Sequence, residues 1–323
     1  MNSITRRPYR GEIDLDAIAH LINTCESVDQ LEEGTSVTEL QQSFDDPFID
    51  KERDLFLWQD ADDQLIGFGR LWIVPTDTVI DGFLGFRVHP TARSGDLQEQ
   101  IIAWAEERLR QVSQERGLPV NVRCGSRADQ TDRITILERC GFKRDRYFFT
   151  MTRSLQEPIP EPKLPDGFTL GYSKGKEDVE AYVELYNQTF IDHWNYHELT
   201  VERVLHELQD PYYKPEMSLL AMTPDGTYAA FCYCRVNPEE NQRNGRSEGE
   251  IAVLGTRRGF RKQGLGRAML LAGMQQLKAA GVETAKLGVD AKNLSGALRL
   301  YESVGFSTVR THISLVKQLQ AVG

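Results

Sequence analysis

The densest chemistry in the sequence lies between Leu254 and Arg267, where Arg257, Arg258, Arg261 and Lys262 precede Gly264 and Gly266. Glu250 to Leu254 has the character of a strand, and Leu265, Met269, Ala272, Gln276 and Leu277 then recur at helical spacing. A basic, glycine-containing loop that opens a helix is a site for an anion. Unpaired backbone N–H groups point outward there, the helix dipole favours negative charge, and glycine admits an oxygen at close range. The spacing Arg261-x-x-Gly264-x-Gly266 differs from the dinucleotide fingerprint, and no Gly-Lys-Ser/Thr follows, which excludes a Walker loop. Such glycines also serve a plain strand-to-helix turn. The selectivity lies in the order strand, basic loop, helix, strand, then Asn293-Leu-Ser-Gly-Ala-Leu-Arg-Leu-Tyr301 and Gly305-Phe306.

The elements that must position these residues are read from the rest of the chain. Its 323 residues suit two domains, and Pro158, Pro160, Pro162 and Pro165 crowd one stretch into an extended linker. This predicts a first domain over 1–156 and a second over 166–323. The halves repeat one another in order: strand, helices, hairpin, strand, long helix, then strand, helix and strand. LERCGFKRD near the end of one half answers YESVGFSTV in the other, and the same alignment superposes Gly117 on Gly281, each closing a long helix. The fold class expected is α/β (α+β): a duplicated module with a mixed central sheet and flanking helices.

On these residues the second half resembles the GNAT superfamily of acyl-CoA-dependent N-acyltransferases. Arg261, Gly264 and Gly266 are similar to its pyrophosphate loop, and Asn293, Tyr301 and Gly305-Phe306 to its C-terminal signature. The tandem arrangement, with GEIAVLGT leading into RKQGLGRAMLLAG, is most similar to the mycothiol synthases; Thr256-Arg257-Arg258 lacks the proline often found before the loop. The resemblance implies acetyl-CoA as co-substrate and no metal. Its pyrophosphate would rest on the N–H groups of Gln263, Gly264, Leu265, Gly266 and Arg267, with Arg261 and Lys262 adding charge. The strand before the loop would splay from its neighbour, leaving Leu254, Gly255 and Thr256 to bond the pantetheine arm and polarise the thioester carbonyl. Direct attack by an amine needs a base. Glu250 matches that position, with Glu248 on the same strand face or a water relay as alternatives, and both also suit solvent-facing carboxylates. Tyr301 would protonate the departing thiolate, against the plainer reading of a tyrosine packed under the sheet.

The first half departs from this pattern. Sliding the repeat places Arg93 on the loop arginine, but Asp96 and Gln98 on Gly264 and Gly266, and the Gly-Phe alignment puts Leu137 opposite Tyr301. A carboxylate repels a pyrophosphate and β-carbons block its approach, so this half reads as a scaffold that has lost catalysis and walls the acceptor cleft. On the acceptor side, His193, Trp194 and Tyr196 lie between the first two helices of the second half. They suit a pocket wall and equally a packed plug. His193 and His197 are not accompanied by a His-Glu-x-x-His, so no metal is expected. Cys232 and Cys234 share one strand face as buried free thiols.

Composition bounds the rest. Hydrophobic residues at 40% and charged residues at 27% exclude a disordered chain. A net charge of −10 argues against nucleic acid as the main partner. There is no long apolar run for a membrane span, and the first residues carry no apolar stretch of a secretory signal. The 5 cysteines are scattered and make no disulfide framework, which fits a cytoplasmic protein. The expectation is an acetyltransferase acting on a small-molecule amine, with an acyl-CoA sensor or a protein N-terminal or lysine acetyltransferase as alternatives.

Overall fold

A computed structural model describes residues 4–74, 76–194, 196–293 and 296–320. In chain order the elements are β1 (Thr5–Pro8), α1 (Leu15–Asp29), α2 (Val37–Phe44), β2 (Leu55–Gln59), β3 (Leu65–Ile73), β4 (Ile80–Val88), α3 (Leu97–Arg116), β5 (Val120–Arg127), α4 (Thr131–Arg139) and β6 (Lys143–Ser154). There follow β7 (Thr169–Tyr172), α5 (Val179–Phe190), α6 (Val201–Glu207), β8 (Ser218–Met222), β9 (Tyr228–Arg235), α7 (Pro238–Asn244), β10 (Glu248–Thr256), α8 (Leu265–Ala279), β11 (Thr284–Asp290), α9 (Ala297–Glu302) and β12 (Ser307–Leu319).

The chain folds into two compact units, but not at the expected boundary. One comprises 1–146 and 312–323, the other 147–311. The proline-rich stretch therefore lies inside the second unit, and the final strand belongs to the first. The reason is strand exchange. Residues 312–319 of β12 pair antiparallel with β5, while residues 148–154 of β6 pair antiparallel with β11. Each sheet thus borrows its last strand from the other half of the sequence. Long-range pairing of this kind leaves no mark in local composition.

In the first unit β1 to β4 pair antiparallel in succession, and β4 then lies parallel to β5. In the second, β7 to β10 do the same and β10 lies parallel to β11. The duplicated mixed sheet is as expected. The helix α3 ends on Gly117 at φ 67, and Gly281 at φ 85 follows the end of α8; both take the left-handed conformation that stops a helix. The core of the second unit forms where the apolar face of α8 (Leu265, Met269, Leu270, Met274, Leu277) meets Cys232, Cys234 and Ile251 of the sheet. In the first unit Leu15, Ile18 and Leu21 of α1 pack with Phe44, Leu57 and Phe68. Helix α7 is an element that the hydrophobic pattern does not announce, because every residue in it is exposed or half-buried. Its ends do: Asn237 caps the Glu240 N–H, proline stands at the first position, and Gly245 closes it at φ 61.

Candidate active site

Strand β10 parts from its neighbour midway. It pairs with β11 only from Glu248 to Ile251, although β11 continues to Asp290 alongside β6. On its other side β10 stays with β9 as far as Thr256, with a register shift between Ile251 and Val253 that leaves Ala252 unpaired. A bulge of this kind bends and twists a strand. Beyond it, the side of Leu254, Gly255 and Thr256 that faces away from β9 has no partner strand in β11, and these residues are half-buried. An extended ligand with amide groups can pair with such an edge as a further strand would.

Thr256 leads into the loop and α8. Gly264 is the helix cap at φ 93, no side chain caps the helix, and its first turn holds no acidic residue. The first intrahelical acceptor is the Gly264 carbonyl, bonded by the Ala268 N–H at 3.1 Å. The amides of Leu265, Gly266 and Arg267 thus precede any intrahelical partner and point along the axis, as an anion requires. The glycines differ in what they are for. Gly264 needs its left-handed backbone. At Gly255 a β-carbon would overlap the Thr189 methyl and approach Phe231 to 2.8 Å. Gly266 has neither constraint. A β-carbon there would meet nothing nearer than Thr256 Oγ1 at 3.6 Å and Leu300 at 3.7 Å. Neither backbone conformation nor internal packing requires this glycine, and its missing β-carbon leaves room for a close approach to the first-turn amides.

The loop cations divide in the same way. The guanidinium of Arg261 donates to the carbonyl of Thr189 at 2.7 Å, to Asp192 at 3.0 Å and to the carbonyl of Thr256 at 3.3 Å. Arg258 shares Asp192, and Arg257 pairs with Glu184 at 2.6 Å. Arg261 thus faces the protein, where it was expected to lend charge to an anion. Lys262 and Gln263 are exposed, Lys262 at a left-handed φ of 63. Arg267 is exposed and donates to Ser303 at 2.8 Å.

Tyr301, on α9, is buried against Phe306. Among the described residues no group hydrogen-bonds its hydroxyl, and burial pushes its pKa up to about 12, so it stays protonated at any physiological pH. Asn293 closes the turn after β11, its N–H donating to the Asp290 carbonyl at 3.0 Å; Leu294 and Ser295 of the same motif lie outside the described residues.

Glu250 lies in register with Arg235 of β9 and Lys286 of β11, in an open hollow of about 270 Å³, counted out to solvent, also lined by Asn237, Glu240, Asn241 and Glu248. Glu248 is committed to Arg246 at 3.4 Å and Lys286 at 3.9 Å. Lys286 is itself 3.1 Å from Glu240, and Arg235 pairs with Asp210 at 2.9 Å. Among the described residues the Glu250 carboxylate has no hydrogen bond or ion pair. Burial raises its pKa, and the charges of Lys286 and Arg235 pull it partly back. A half-buried carboxylate with a raised pKa and no partner of its own can accept a proton, whereas the oxygens of Glu248 are already engaged by cations. The surrounding residues, Arg235, Asn237, Glu240, Asn241 and Lys286, escaped the sequence reading. They come from β9, α7 and β11, and only the α7 capping residues offered a signal.

The acceptor candidates make separate contacts within the second unit. The Tyr196 hydroxyl donates to Asn187 at 3.0 Å, the Trp194 ring lies tilted against Phe148 with centroids 5.8 Å apart, and the His193 ring meets the Trp194 carbonyl at 3.1 Å. Asn195 lies outside the described residues, and none of the three lines the hollow beside Glu250. Cys232 and Cys234 are buried, their sulfurs 3.8 Å apart against Gly273 of α8. Among the described residues no three His, Cys, Asp or Glu side chains gather as metal ligands.

The first unit keeps the scaffold of this site without its groups. A β-carbon on Gly82 of β4 would strike Leu109 of α3, as one on Gly249 of β10 would strike Leu277 of α8, so the two glycines correspond. The next residue is then Phe83 against Glu250. Phe83 lies opposite Trp72, and their rings are 5.4 Å apart. The pairing of β3 with β4 shows no register shift, so the bulge is missing too. Asp96 begins α3 where Gly264 begins α8, Gln98 is buried, and Leu137 is fully buried in the place of Tyr301.

This geometry, a splayed parallel pair ending in a basic glycine turn, is one that an acyl-CoA thioester would fit, and comparison with known proteins places the chain in a family. A family description of the acetyltransferase (GNAT) family matches residues 179–306. A mycothiol acetyltransferase of Kineococcus radiotolerans is 31% identical over 256 residues, 78% of either chain. The chain belongs to the GNAT family of acetyltransferases. A mycothiol acetyltransferase of Thermobispora bispora is 35% identical over 167 residues, which cover 52% of this chain and 56% of that one. For the first curated relatives the match spans about three fifths of their length. A GCN5-related N-acetyltransferase from Sphaerobacter thermophilus shares the fold at a TM-score of 0.75 and 24% identity, covering 98% of this chain and 95% of the other. A tandem GNAT protein from the clavulanic acid biosynthesis pathway does so at 0.72 and 12% identity, covering 98% of each. Among the described residues no helix is long and apolar enough to cross a membrane.

Proposed function

We propose that the second unit transfers an acetyl group from acetyl-CoA to the amine of a small molecule, and that the first unit is a catalytically degenerate copy. The observation that carries the reading is Gly266, a glycine beside free helix amides that neither backbone nor packing requires. The amides of 263–267 hold the diphosphate, and Lys262 adds charge. The open edge at Leu254, Gly255 and Thr256 aligns the pantetheine arm, and an N–H on that edge bonds the thioester carbonyl more strongly as it becomes tetrahedral. Glu250 removes a proton from the ammonium of the acceptor, directly or through one water. The amine nitrogen then forms a bond to the carbonyl carbon, the carbon–sulfur bond breaks as Tyr301 donates its proton to the sulfur, the second proton shed by the nitrogen returns through water to the Tyr301 phenolate, and Glu250 releases its proton to solvent. The products are an amide and a free thiol. The name shared by the curated relatives puts mycothiol-type acceptors first in the panel of amines to test.

The test is thiol release from acetyl-CoA against that panel, with Tyr301→Phe and Glu250→Gln in parallel. Release that depends on an amine and falls in both variants supports the reading. Absence of release with every amine, together with no binding of coenzyme A, overturns it.

A further inference from the structure

The duplication separates residues kept for the scaffold from residues kept for the ligand, and it places the loop arginine with the scaffold. In the second unit, the Arg261 guanidinium donates from Nε to the carbonyl of Thr256, the last residue of β10, and from Nη1 to Asp192, which follows α5. In the first unit, Arg93 donates from Nε to the carbonyl of Val88, the last residue of β4, at 3.1 Å, and pairs through both terminal nitrogens with Asp29, the last residue of α1, at 2.6 and 2.8 Å. The same three points are joined twice: strand end, loop, and the end of the first helix. Yet the first unit carries Asp96 and Gln98 where an anion would need glycines. An arginine retained with its partners after the anion site is gone is not retained for the anion.

We infer that Arg261 is a positioning residue, and that its clamp to Asp192 holds the loop so that the amides of 263–267 converge on a diphosphate. This rests on the acyltransferase reading for the ligand, though not for the clamp. Asp192 also takes Arg258, so one exposed carboxylate anchors two of the loop cations. The opposite role, a direct phosphate ligand restrained by Asp192, predicts the opposite sign when that carboxylate is neutralised.

The experiment is Asp192→Asn in the full chain. Coenzyme A affinity is read by calorimetry, and amide exchange over 257–267 is read without any ligand. An exposed Arg–Asp pair is screened by solvent, so no more than a three- to fivefold weaker Kd is expected, with faster exchange in the loop. Arg261→Lys should weaken binding as much as Arg261→Gln, because one ammonium cannot span three acceptors. Asp29→Asn should speed exchange over 88–96 and leave coenzyme A affinity unchanged. Unchanged or tighter binding in Asp192→Asn, or full affinity in Arg261→Lys, overturns the clamp. If the parent chain bound no coenzyme A, the acyltransferase reading would fall, and loop exchange in Asp192→Asn would still decide the clamp.

Discussion

Gly266→Ala separates ligand demand from folding demand, because the two move in opposite directions. Gly266 is the second residue of α8, and its absent β-carbon has ordinary van der Waals room beside Thr256 and Leu300. Alanine is favoured over glycine in a helix by roughly 0.5–1 kcal/mol. For a unit of this size that corresponds to a rise in Tm of about 1–4 °C. The same methyl stands between the first-turn amides and an incoming phosphate oxygen. Loss of one hydrogen bond to a charged group costs about 1.5–3 kcal/mol, or about 10- to 150-fold in affinity. Thermal unfolding without ligand and calorimetric titration with coenzyme A measure the two effects on one sample. A variant that is stabilised yet binds coenzyme A as tightly as the parent would refute the argument. Gly255→Ala supplies the contrast: its methyl runs into Thr189 and Phe231, and overpacking should cost about 1–3 kcal/mol of stability.

Three further expectations concern protons. Glu250→Gln should lower kcat/KM by about 10²–10⁴ while raising stability at neutral pH. The sign follows from burial, which raises the folded pKa of this carboxyl: its favourable contribution is complete below the unfolded value and is lost as pH rises through the folded one. The gain in Tm should therefore vanish near pH 4, and a gain of equal size at pH 4 and pH 8 would contradict it. Lys286→Met removes a charge that pulls the same pKa down, so the acid limb of kcat/KM should move to higher pH and return with Lys286→Arg. Tyr301→Phe should reduce kcat by about 10²–10⁴ with Tm nearly unchanged, since no hydrogen bond among the described residues is lost. With the phenol near 12, no basic fall in rate below pH 10 should depend on Tyr301.

Much of the site could be read along the chain because its parts are local. A strand, a glycine turn and a helix start are consecutive in sequence, and their geometry follows from backbone preferences within about one turn of helix. The Gly-Phe pair stands out because it keeps its place in the repeated module, and Tyr301 because it matches the C-terminal signature of the family that the second half resembles. Phe83 was missed for a definite reason. Thr256 stands seven positions beyond Gly249 and Val88 only six beyond Gly82, so an ungapped slide of one half on the other sets Gly82 opposite Glu250. The extra residue is the bulge at Ala252, which only the ladder with β9 reveals.

The linear order of residues pointed to the duplicated mixed-sheet module through its repeat and to the glycine turn that opens α8 through local backbone preferences, and resemblance to a known family marked Glu250 and Tyr301 as candidates. Folding in three dimensions decided the exchange of β6 and β12, the divergence of β10 from β11, the inward turn of Arg261 toward Asp192, and the charged company of Glu250. These depend on which distant strands share hydrogen bonds and which side chains share a buried space, and such pairings are selected by the energy of the whole fold.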